Sequence, residues 1–145
     1  LPEGEQDAIF QAGGASPQEV VRTVTMKFYP ADRAGFAAAI EKGLRDSSSP
    51  VRAAAAGRLE HIQRSDAAPL LHEHLRHQDR GVRLLVIAAL ARFADRASIP
   101  KLVEVFDDPD LQIRDKALQA AQSIRQTIEE REKLRTAAGA GAVKD

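Results

Sequence analysis

The chain has 145 residues, with 21 Lys and Arg against 21 Asp and Glu, 43% hydrophobic residues, five Phe, one Tyr, no Trp and no Cys. Without thiols it has no disulfide, thiolate metal site or cysteine nucleophile, and its balanced charge exerts no global pull on nucleic acid or acidic membranes. No apolar run approaches the roughly 18 residues of a membrane span, and the opening Leu1-Pro2-Glu3-Gly4-Glu5 lacks the basic start of a signal peptide.

A chain that begins at Leu reads as processed, trimmed or a fragment, and the expected location is cytoplasmic. Its interior must be filled by aliphatic residues and Ala, a mixture that favours helices packed closely on helices.

Residues 1–37 read as an N-terminal segment and a degenerate capping repeat. A first helix is expected from Glu5 to Ala12, then a flexible Gly13-Gly14 joint. Ser16-Pro17-Gln18-Glu19 resembles a capping box that opens a second helix from Pro17 to about Tyr29, which Pro30 stops. The β-branched run Val20, Val21, Thr23, Val24 and Thr25 suits a strand equally well. Residues 1–21 hold Glu3, Glu5, Asp7 and Glu19 and no Lys or Arg, so this acidic start is either a disordered leader or a polar cap.

From residue 38 to 125 the chain repeats itself without gaps. Val51-Arg52, Val82-Arg83 and Ile113-Arg114 recur every 31 residues, as do Ile40, Leu71 and Leu102. Such a period marks stacked supersecondary units, each too small to bury its own apolar face. Each unit reads as a short helix (Pro100 to Phe106 in the last), a polar turn, then a longer helix from Leu111. Asp79 and Asp110 stand where they can cap the longer helices. Counting from the Val or Ile of each pair, offsets 0, 4, 5, 8 and 11 are apolar in all three repeats, which defines one helical face. Residues 126–136 extend the last helix, and 137–145 read as a flexible tail.

The stretch from Ile99 to Ala121, with the strict period, resembles the HEAT repeats, including the short form found in phycobilin-lyase-like proteins. The resemblance covers residues 38–125 and implies an all-α solenoid of stacked antiparallel helix pairs whose second helices line a concave face. The Asp row of the family is incomplete here, because Ser47-Ser48-Ser49-Pro50 and Gln78-Asp79-Arg80-Gly81 replace Asp-Pro-Asp.

Little in the chain points to catalysis, and no catalytic, cofactor or metal site is assigned. His72 and His74 are two apart and project to opposite sides of a helix, so His72-Glu73-His74-Leu75-Arg76-His77 is read as core and cap, with pH dependence through His61, His72, His74 and His77 left open. The row Arg22, Arg52, Arg83 and Arg114 is read as a structural ladder onto acceptors such as Asp79 and Asp110. Partner binding is expected at offsets 2, 3 and 6 of the second helices and their rim: Ala53, Ala54, Leu84, Leu85, Ala88, Arg92, Lys116 and Gln119. Leu84 and Leu85 are too apolar for a bare surface and would form the centre of the contact. The expectation is a non-catalytic module binding another protein. The alternatives are a bilin-lyase-like chromophore-attachment factor and, less favoured by the charge, a reader of the nucleic-acid backbone.

Overall fold

A computed structural model describes residues 2–141, apart from the side chains of residues 64–67. Among the described residues all regular structure is helical: α1 (Glu3–Gly14), α2 (Glu19–Phe28), α3 (Phe36–Leu44), α4 (Ser49–Ala56), a 3₁₀ turn (Leu59–His61), α5 (Arg64–His74), α6 (Arg80–Phe93), α7 (Ser98–Val103) and α8 (Leu111–Gly141). No helix is long and apolar enough to cross a membrane among the described residues. The chain divides into two compact units, Leu1–Val86 and Ile87–Asp145.

In the first unit α1 packs on α2, and α4 packs on both α2 and α3. The β-branched run of residues 20–25 is helical, because Met26 and Tyr29 bury beneath it while Pro30 ends it. The acidic start is helical and tied to the turn after α2: Arg33 in that turn donates to Gln6 Oε1 at 2.7 Å and lies 3.8 Å from both Glu3 and Asp7. Gly13 is not a joint but the last turn of α1, where it leaves room for Thr25 of α2. At the other end of α2, Arg58 donates to the carbonyl of Tyr29 at 2.9 Å and lies over the Phe36 ring.

The first repeat's second helix is shorter than its spacing predicts. α4 stops at Ala56 and Gly57, and the chain continues as the 3₁₀ turn. Leu59 and Ile62 nevertheless remain buried, so the apolar row is completed by a turn instead of a helix. Pro69 lies inside α5 rather than at its start.

In the second unit α7 packs on α8. Ile113, Ala117, Ala121 and Ile124 are buried on α8, but Leu118, at offset 5, is 43% exposed. The equivalent Ala56 and Ile87 are buried. No helix follows α8 among the described residues, and this side of it is left to solvent. α8 runs through Gly141, beyond the boundary expected at residue 136, with residues 137–141 helical and residues 142–145 outside the described residues.

Candidate interaction surface

The turns that open the second helices are built by one device. Arg22 Nη1 donates to the carbonyls of Ser16 and Pro17, Arg52 Nη1 to those of Asp46 and Ser47, and Arg83 Nη1 to those of His77 and Gln78. Each arginine thus clamps the turn five and six residues before itself. The remaining donors of the fork reach forward to the next repeat: Arg22 grips Asp46 bidentately at 2.8 and 3.0 Å, and Arg52 Nε and Nη2 meet Asp79 at 3.2 Å. Arg114 makes no side-chain hydrogen bond or ion pair among the described residues. After it the chain stays helical through Gly141, so no further turn among the described residues presents an acceptor.

Asp79 Oδ1 accepts from the N–H groups of Gly81 and Val82, and Asp110 Oδ1 accepts from those of Gln112 and Ile113, capping α6 and α8. Ser48, in the same row, donates to Glu19 Oε2 instead and makes no cap bond. A second row, at Asp46, His77 and Asp108, accepts the N–H two residues on: Ser48 to Asp46, Asp79 to His77 Nδ1, and Asp110 to Asp108. Because His77 Nδ1 accepts, its proton is on Nε2, which donates to the carbonyl of Leu44 at 2.7 Å and so satisfies the end of α3.

The residues expected to meet a partner separate by exposure. On α4 Ala53 is exposed, but Ala54 is only 9% exposed, because α4 packs on two neighbouring helices; Ala54 lies in the core rather than on a contact face. On α6 Leu84 is half-buried and Leu85 is 43% exposed. The Phe10 ring packs against Tyr29, with centroids 5.1 Å apart and the planes tilted by 41°. In the second unit Ala88 and Arg92 are exposed, and Arg92 lies over the Phe93 ring. Lys116 and Gln119 are exposed on α8 but tied together, with Lys116 donating to Gln119 and Gln119 to Asp115.

Spacing on α2 carries a signal the sequence reading did not use. Val20, Val24 and Phe28, four residues apart, are 71%, 49% and 71% exposed, on the side of α2 away from Met26. Counted from Val21, Val24 holds the offset that Leu85 holds from Val82.

A family model of HEAT repeats matches residues 37–122, more than half of the chain. The chain belongs to the HEAT-repeat family. It is therefore an all-α solenoid, in whose first unit the Arg22–Asp46 and Arg52–Asp79 pairs tie one turn to the next. No curated protein matches the sequence. HEAT repeats are generally protein-interaction scaffolds and are typically non-enzymatic.

The histidine cluster has a structural place in this array. His74 is 4% exposed at the position of the equally buried Val105, with its ring 5.5 Å from that of His77. Burial first, then the neighbouring His77 and Arg45, hold its pKa below the ordinary 6.5. Among the described residues no three His, Cys, Asp or Glu side chains are grouped to hold a metal ion.

Proposed function

We propose that the chain is a non-catalytic adaptor that binds a segment of another protein through apolar residues exposed on its second helices. One observation carries this reading: the same offset in two repeats, Val24 on α2 and Leu85 on α6, presents a large aliphatic side chain about half open to solvent, at 49% and 43%. Large exposed apolar residues at matching positions of a repeat are what a contact centre requires, since they supply desolvation energy once a partner covers them. Leu84 and Ala53 extend the contact in the first unit; in the second unit, taken by itself, Ala88 and Arg92 are exposed. Lys116 and Gln119 satisfy one another and play the lesser part.

The test is co-purification of cross-linked partners with the wild type, Leu85→Asp and Val24→Asp, each checked for unchanged helical circular dichroism. Loss of the same partner from both folded variants supports the reading. An unchanged partner set in both sinks it.

A further inference from the structure

The first unit holds a cavity of about 370 Å³ between α1, α2 and α3. Its apolar wall includes Phe10, Met26, Tyr29 and Ala39, and its polar wall Arg22, Lys42 and Asp46. The volume falls at the lower end of the roughly 300–1,000 Å³ typical of small-molecule sites.

The lining groups differ in whether the protein already uses them. Arg22 and Asp46 are consumed by each other: the guanidinium holds both carboxylate oxygens and two carbonyls, and Asp46 Oδ1 also accepts from Ser48 N–H. Their charges cancel. The Lys42 ammonium, on a residue exposed at the rim, has no ion pair or hydrogen bond among the described residues, and the nearby Glu41 carboxylate is taken by Arg45 at 3.0 Å. Deeper in, Tyr29 is 95% buried by its 5% exposure, and its hydroxyl lies 2.7 Å from where a Cβ on Gly35, another lining residue, would stand. No described residue hydrogen-bonds that hydroxyl. With no protein partner, that hydroxyl is available to donate to a ligand oxygen.

We propose that this cavity binds a small organic monocarboxylate, with the carboxylate held by the Lys42 ammonium, the apolar body against Phe10, Met26 and Tyr29, and the Tyr29 hydroxyl donating to a ligand oxygen. One free cation beside a neutralised ion pair matches one negative charge. A dianionic phosphate would bring a second charge without a counter-ion into a largely apolar space, and the acid in the lining that an organic cation would meet, Asp46, is already held by Arg22.

The experiment is an amide-resolved NMR titration of the full chain with octanoate, with 1-octanol and octylammonium as controls. Saturable shifts confined to α1, α2 and α3 are expected with octanoate. Lys42→Gln, at an exposed position that leaves folding intact, should weaken octanoate about fivefold and leave octanol unaffected. Tyr29→Phe should weaken it by about three- to tenfold. The proposal is overturned by the absence of saturable shifts. It is equally overturned if octanol or octylammonium binds as tightly as octanoate with no effect of Lys42→Gln. Shifts centred on Val20, Val24 and Phe28 instead would show adsorption to the exposed face of α2 and overturn it as well.

Discussion

Arg22 and Arg52 use the whole guanidinium fork: one end binds two carbonyls of their own turn, as in Arg83, and the other end binds an acid of the following turn. A lysine ammonium is a point donor on a flexible stem and cannot hold two carbonyls and a carboxylate in one plane. Arg52→Lys should therefore lower stability by about 1–2 kcal/mol in urea denaturation. Arg114→Lys should change it by less than about 0.5 kcal/mol, because Arg114 makes none of these bonds. Equal losses in the two variants would show that the ladder contributes nothing specific. Removing the Asp79 carboxylate takes away both an ion pair and the α6 cap, so Asp79→Ala should cost about 1–2 kcal/mol by the same measurement.

Among the elements, α2, α3 and α4 converge where Gly43 is buried. A Cβ there would stand 2.7 Å from Ala55 Cβ and 2.8 Å from Met26 Cε. The methionine can move, but Ala55, on the packed face of α4, cannot. Gly43→Ala should therefore destabilise by roughly 1–3 kcal/mol despite alanine's better helix propensity, and a stability gain would refute that packing. Deleting residues 137–145 should leave the melting temperature unchanged, since no residue of α8 beyond Ile124 is buried, while the helical signal falls by the turn lost at residues 137–141. These elements also show what the sequence encodes openly. Ile40, Leu71 and Leu102 repeat at one spacing, and all are 0% exposed, because period and burial have the same cause. Three things were less legible: the early end of α4, the burial of Ala54 and the exposure of Leu118. They depend on how many neighbours each helix has, which the residues of that helix do not state. In the candidate site, Leu85 was readable as an apolar residue at a polar offset. Tyr29 was not, because a hydroxyl's lack of a partner appears only once the helices are packed.

For the whole molecule, the formal charge of zero conceals groups that titrate differently in the folded and unfolded states. Burial, with His77 and Arg45 beside it, keeps His74 neutral in the folded chain, against a smaller pull from Glu41 and Glu73, and its Nε2 has no partner. The unfolded chain takes up a proton at this histidine near its ordinary 6.5, so stability is complete above that value and declines as the pH falls below it. Asp46 and Asp79 act lower. The Arg22 hydrogen bond leads in holding Asp46 below the ordinary 3.8, and at Asp79 the bonds from Val82, Arg52 and Gly81 outweigh an opposing burial. Their contribution is present above 3.8 and is lost as the pH falls through their lowered folded values. The stability curve should thus descend in two stages, the first costing up to about 1 kcal/mol between pH 7.5 and 5.5. His74→Val, which installs the aliphatic type found at the equivalent Val105, should abolish the first stage, leave the second, and raise stability at pH 7.5. Denaturant midpoints at pH 7.5, 5.5 and 3.5 measure all three effects, and a first stage that persists in His74→Val would place the titrating group elsewhere.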